Sequence, residues 1–224
     1  EFEKDYALGW LAGASYQIPE YALRTSLTYR SAIKHQVHVN ESIQNQPITF
    51  TTADKTTIET PASVNLDFQT GIMANTVAFV NLRWVDWSNF KVQPYKFGKL
   101  TQILGQAGYV PTKPNGFNLI DYKDDQISAT VGVGRKFNDR WGGNVSVGWD
   151  SGAGNPVTTL GPTEGYWSVG TGVRYSPTEN YFIGAGFKYF WLGDADAVTG
   201  AHTEAGKFEN NYAVAYGLSI GYRF

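Results

Sequence analysis

The sequence predicts an all-β protein, an antiparallel transmembrane β-barrel with about nine strands present, on three observations. Large apolar residues alternate with Gly, Ala, Ser and Arg; the alternating segments run to ten residues or more; and short and long connections follow one another in turn. A tilted strand needs about 9–11 residues to cross a bilayer, whereas strands of soluble domains average about 5–6. The 224 residues have a mean hydropathy of -0.30, with 15% aromatic and 17% charged residues and a formal net charge of -2. Such an average conceals alternation, because a barrel strand is lipophilic only at every second position. Aromatic richness with sparse charge is the reverse of a disordered chain. The absence of cysteine removes disulfide scaffolds and thiolate metal sites. A near-neutral balance leaves no footprint for nucleic acid.

From the N-terminus, a strand is expected over residues 5–17 with Tyr6, Leu8, Trp10 and Tyr16 outward. A second follows over 21–39 with Leu23, Leu27, Tyr29, Ile33 and Val37 outward, and two more over 63–72 and 76–90. Residues 100–106 carry the one helical period that competes. Ile127, Ala129, Val131 and Val133 mark the fifth strand, and Trp141, Val145, Val147 and Trp149 the sixth. In the seventh, Trp167, Val169, Thr171, Val173 and Tyr175 alternate with Ser168, Gly170, Gly172 and Arg174. The eighth sets Tyr181, Ile183, Ala185, Phe187, Tyr189 and Trp191 against Phe182, Gly184, Gly186 and Lys188. In the ninth, Tyr212, Val214, Tyr216, Leu218, Ile220, Tyr222 and Phe224 face one way, with Ala213, Ala215, Gly217, Ser219, Gly221 and Arg223 the other. The solvated face of a soluble sandwich would be mostly Lys, Glu or Thr; Ala, Gly and Ser suit a crowded or water-filled lumen. Trp and Tyr at the ends of these runs match the aromatic girdles of a membrane barrel.

Residues 18–20, 73–75, 138–140 and 176–180 form short connections, and 40–59, 91–123, 151–163 and 193–209 long ones. In outer-membrane barrels short turns face the periplasm and long loops the exterior, so the last strand runs inward and the first starts outside. A bacterial single-chain barrel has an even strand number with both ends periplasmic. On that parity, residues 1–224 are expected to be the C-terminal part of a single transmembrane β-barrel domain whose earlier strands are missing; the competing account is a self-contained barrel of eight strands in which residues 5–17 do not span.

Pro61-Ala62-Ser63-Val64-Asn65-Leu66 opening a strand, Trp84-Val85-Asp86-Trp87-Ser88-Asn89-Phe90 ending the next and Tyr122-Lys123-Asp124 leading into a third resemble the C-terminal half of the FadL-type long-chain fatty acid transporters. Trp149-Asp150-Ser151 with Pro156, the strand from Tyr166 with its turn, and the closing segment extend the resemblance over nearly the whole chain. It implies a 14-stranded barrel in the bacterial outer membrane, with an N-terminal hatch and early strands absent from this sequence. It also implies capture of hydrophobic substrate among extracellular loops, a tighter internal site, and lateral exit through the barrel wall. Asn118 stands near the place where that family can carry an inward basic residue.

From the residues themselves, the loop over 91–123 offers a substrate-capture surface in Phe97, Leu100, Ile103, Leu104 and Tyr109, with Val110, Lys96 and Lys99 nearby. A fatty acid needs apolar contact along its tail, about 0.8 kcal/mol per buried methylene, and a donor or cation at its head. Parity turns Arg24, Arg30, Arg83, Lys136, Arg174, Lys188 and Arg223 into the lumen with Asp67 and Asp150, and Phe79 and Trp87 supply apolar wall. Arg83, Lys188, Phe79 and Trp87 are the preferred lumenal candidates. His35, His38 and His202 lack metal-ligand spacing, and parity turns His35 toward lipid or the outer interface. No cofactor is expected. Ser42 near His38 is the nearest approach to a nucleophile and base, and no enzyme activity is expected from it. The expected partners are outer-membrane lipid, a hydrophobic small molecule such as a fatty acid, and the N-terminal part of the same barrel. The alternative function is a structural or adhesion barrel with a filled lumen.

Overall fold

The structure, a computed structural model, describes residues 1–43, 46, 47, 55–159, 161, 163–201 and 203–222. Nine antiparallel strands form one sheet in which each pairs with its sequence neighbours. They are β1 (Leu11–Ile18), β2 (Leu23–Arg30), β3 (Ser63–Met73), β4 (Thr76–Val85), β5 (Gln126–Lys136), β6 (Trp141–Asp150), β7 (Tyr166–Thr178), β8 (Tyr181–Leu192) and β9 (Tyr212–Tyr222). The sheet does not close: β1 and β9 are its two edges. Among the described residues, no helix is long and apolar enough to cross a membrane.

The register turns the alternation of each strand into continuous rows. One runs Ala14, Leu27, Leu66, Leu82, Ala129, Trp149, Trp167, Trp191 and Tyr212 across the whole sheet. The next runs Phe68, Val80, Val131, Val147, Val169, Tyr189 and Val214. Many of these side chains, such as Val131 and Val147, are exposed. Among the described residues no partner layer covers them, which is the arrangement of a wall whose solvent on that side is lipid. Toward the other end, Trp141 and Tyr175 pack at 4.6 Å. Trp141 and Trp149 are eight residues apart, about 27 Å along a strand or about 21 Å after a tilt near 40°. That is close to the height of about 25 Å of a barrel's apolar band between its girdles.

Alternate connections are tight. Pro19–Tyr21 forms one 3-10 turn, followed by Ala22 at φ 48, and Asn75 turns the next hairpin at φ 57. An extra residue at Ser176 and Pro177 bulges the end of β7. The long connections all lie at the opposite end and carry structure of their own. Val157–Thr158, Ala195–Val198 and Glu204–Phe208 form a small sheet whose buried core is Val157, Ala195 and Ala197, with Phe208 against it. A conventional core therefore sits in the loops.

Three of the expected strands differ in extent. The chain leaves the wall at Arg30, and Ile33–Val37 pairs instead with Thr56–Thr60 in a separate hairpin. Val37 is buried there, and His35 Nδ1 lies 3.2 Å from Asp5 Oδ2, so neither faces lipid. The first wall strand begins at Leu11 because residues 1–10 run beside that hairpin: Glu3 N–H donates to His38 at 3.0 Å and Ser31 N–H to Trp10 at 2.9 Å. Tyr6, Leu8 and Trp10 keep their exposure outside the wall. The strand expected over 76–90 stops at Val85, where Asp86 accepts from Asn89 Nδ2 at 2.8 Å and closes a turn. Arg223 and Phe224, placed on the ninth strand, and His202 lie outside the described residues.

Candidate functional site

The second face of the wall holds the small and polar residues, and the open troughs of the sheet lie on it. Gly13, Thr28, Asn65, Arg83, Ser128, Asp150 and Tyr166 form one row of that face. Arg83 and Arg30 both donate to Asn65 Oδ1, at 3.0 and 3.1 Å. One row further on, Asp67 accepts from Asn81 at 2.6 Å and from Ser26 at 3.3 Å. Farther along the same face, on β8, Lys188 Nζ stands 4.9 Å from the Phe190 ring centre and 5.8 Å from that of Tyr166. A cation over an aromatic face is held there electrostatically.

Phe79 shares this face and lies against Gly132, where any Cβ would meet its ring. Beyond it, Gly134, Asn144, Gly172, Gly186 and Gly217 follow each other across five strands. The missing side chains leave an open trough of about 930 Å³ between Phe79 and Phe182. Arg174 lies 3.9 Å over the Phe182 ring at its far end.

Trp87 occupies a different place from the other lumenal candidates. Two residues past the end of β4, it packs with Phe90 at 5.2 Å and Tyr122 at 5.0 Å, at the mouth of the polar face. Its indole N–H donates to Gln126 Oε1 at 2.8 Å; Gln126 Nε2 donates to Asp150 Oδ1 at 2.8 Å; and Gly152 N–H donates to the same carboxylate at 2.9 Å. This relay fixes the aromatic cluster to the ends of β5 and β6. Residues 151–159 fold over it, tied by Lys123 and Asp124 N–H groups to the Ala153 carbonyl at 3.0 and 3.1 Å.

Under that segment is a cavity of about 250 Å³ lined by Trp87, Tyr122, Gln126, Asp150, Glu164 and Tyr166 among others. Gly154 N–H donates to Glu164 Oε1 at 2.9 Å, while Glu164 Oε2 is buried with no hydrogen-bond partner. Burial pushes the Glu164 carboxyl up from its usual range; the Gly154 N–H opposes this, and Asp124 adds to the rise. Gly152, at φ +76, passes beneath the carboxylate where a Cβ would strike it. Sequence reasoning missed Glu164, whose only local signal is the run Ser151-Gly152-Ala153-Gly154 that lets the chain approach it.

The residues expected to capture substrate fall on and just after a helix, α1 (Tyr95–Gln106), which begins five residues before the expected start at Leu100. Glu41, from a different connection, accepts from the Lys96 and Phe97 N–H groups at 2.9 and 2.6 Å. Thr56 Oγ1 accepts from Tyr95 N–H at 3.0 Å. A carboxylate at a helix N-terminus satisfies orphan donors and opposes the dipole. Phe97 meets Phe117 edge-on at 5.4 Å. With Leu100 and Leu104 it is half-buried, whereas Ile103 and Tyr109 are 51% and 79% exposed. Pairing of Lys91–Val92 with Ile120–Asp121 joins the base of this loop to the Trp87 cluster.

A family model for "Outer membrane protein transport protein (OMPP1/FadL/TodX)" matches residues 3–224. No curated protein matches the chain by sequence. A solved FadL homologue from Pseudomonas aeruginosa is similar in fold, with TM-score 0.60 and 13% identity over 96% of this chain and 52% of its own. A structure described as the CymD monoaromatic hydrocarbon channel has TM-score 0.53 and 13% identity, over 97% of this chain and 51% of its own. The chain therefore spans about half the length of these solved structures.

Proposed function

The chain belongs to the OMPP1/FadL/TodX family of outer-membrane transport proteins, a bacterial outer-membrane β-barrel family, and from that premise we propose that it forms part of a passive channel for hydrophobic molecules. The supporting observation is the continuous sequence of surfaces on one side of the wall. Exposed Ile103 and Tyr109 lie on the capture loop, whose base meets the aromatic mouth at Trp87; below it the Phe79 trough runs down the polar face. Apolar side chains lower the cost of taking a hydrophobic solute out of water at each stage, and glycines leave the space it needs.

Long-chain fatty acids are the substrate class in this reading, captured on the 91–123 loop, with Lys188 and Arg83 as lumenal cations and lateral exit through the wall. The two unpaired sheet edges call for further strands, because an open edge in hydrocarbon leaves backbone groups unsatisfied. The N-terminal part of the same barrel is their proposed source. The test is uptake of labelled oleate and labelled ethylbenzene by cells carrying the full-length gene and by a deletion strain. Faster uptake of at least one solute with the gene is expected. Equal uptake of both in the two strains sinks the channel reading and leaves the structural or adhesion barrel in its place.

A further inference from the structure

One arginine stands on the lipid face of the wall. Register places Arg135 in a row with Thr76, Gly143, Val173 and Leu218, of which Val173 and Leu218 belong to the exposed apolar surface. The next row toward the tight turns holds Trp141 and Tyr175, the aromatic pair at that end of the apolar band. Arg135 therefore lies one row inside the girdle, on the side that short turns mark as periplasmic. A cation at such a depth is costly unless its long side chain reaches the interface or meets an anion.

The chain supplies no anion to it. Arg135 Nη1 donates to Met73 Sδ at 3.8 Å, and Thr76, which stands between them in the row, is 5% exposed. A thioether is a weak acceptor for one of five N–H groups. Among the described residues no oxygen accepts from this exposed guanidinium and no carboxylate pairs with it. Asp139, four residues on, is taken by Lys136 Nζ at 2.8 Å. On the other flank the exposed Phe137 ring lies over Gly143, where a Cβ would meet it at 3.0 Å. The arrangement is a cation with unused donors beside interfacial rings, at the level where lipid headgroups begin.

We propose that Arg135, with Phe137 and Trp141, forms a site for an anionic phospholipid of the periplasmic leaflet, of the phosphatidylglycerol type. The planar guanidinium donates in parallel to two phosphate oxygens, and the acyl chains lie along Val133, Val145 and Val173 above it. The hairpin itself selects net negative charge. Residues 135–140 carry Arg135, Lys136 and Arg140 against Asp139 alone, and Arg174 lines the same rim cleft of about 300 Å³. A headgroup that brings an ammonium meets repulsion there, whereas a glycerol headgroup does not. The site lies on the outer side of the wall and is independent of which solute passes within.

The test uses the full-length protein in detergent micelles, with bound lipids counted by native mass spectrometry as dioleoyl phosphatidylglycerol or dioleoyl phosphatidylcholine is added. Arg135→Gln is expected to weaken binding of the first phosphatidylglycerol about tenfold, the scale of one hydrogen bond between charged groups. Phosphatidylcholine binding should change much less, which also reports an intact fold. Arg24→Gln removes a cation at the same end of the wall from the lumenal face and should leave phosphatidylglycerol affinity at the parental value. Unchanged phosphatidylglycerol affinity in Arg135→Gln overturns the proposal. An equal loss for both lipids does so too, since it marks packing without headgroup recognition, as does an equal loss in Arg24→Gln, which marks net charge alone. Displacement of the bound lipid by inorganic phosphate would identify a site for free anions and overturn the lipid assignment.

Discussion

Glu164 illustrates how one side chain can be held against its own preference. Its carboxyl is raised mainly by burial, so the folded state favours the protonated form more than the unfolded chain does. The associated stability is fully present below the unfolded value and is lost as pH rises through the raised folded value. Glu164→Gln removes that loss. Its thermal midpoint relative to the parent is expected to be higher at pH 8 than at pH 4, as measured by tryptophan fluorescence on heating; a pH-independent difference would contradict the burial of this charge. Gly132 makes the opposite kind of demand, for empty space. A methyl group there would meet both the Phe79 ring and the Val145 carbonyl. Gly132→Ala should cost about 1–3 kcal/mol in denaturant unfolding, the usual scale of overpacking, and displace Phe79 from the trough.

Among the elements, α1 shows what a local pattern conveys and what it withholds. Glu41→Ala removes the acceptor shared by the Lys96 and Phe97 N–H groups. Loss of such a cap costs about 0.5–2 kcal/mol, read as faster hydrogen exchange in the first turn of α1 with wall strands unaffected. The helical period from Leu100 is visible in sequence, but the first turn depends on a carboxylate 55 residues away. The strands β3 to β9 were legible because pairing and side-chain alternation express the same period of two. Ile33–Val37 carries that period too, yet pairs with Thr56–Thr60 in a loop hairpin, since alternation specifies a strand without naming its partner. The same limit applies at the site. Arg83, Lys188 and Phe79 share one face of the sheet, whereas Trp87 follows the end of β4 and owes its position to Gln126. Glu164 escaped because its burial comes from Gly152 and Gly154, which fold back against it from ten or more residues away.

Across the whole molecule, the two faces of the wall differ in their tolerance of charge. Val145 lies midway between Trp141 and Trp149, in the row of Val133 and Thr171. Val145→Arg should cost about 2–4 kcal/mol, the scale for a cation at the bilayer midplane. Ser146→Arg, one residue on but facing Gly132 and Gly170, should cost much less and alter solute flux instead. Equal costs in urea-induced unfolding from lipid would mean that the faces are misassigned.

The bulge at Ser176 and Pro177 bears on how such a wall can change in length. Its extra residue sits beside the tight turn, beyond Tyr175, and the pairing of β7 with β8 from Tyr175 to Tyr166 is unbroken. The same insertion at Gly170 would exchange the sides of every residue between it and the turn, carrying Arg174 into the hydrocarbon and Val173 into the lumen. Insertions and deletions are therefore tolerable at the rim of a strand, while within its span the chain can vary only by substitution.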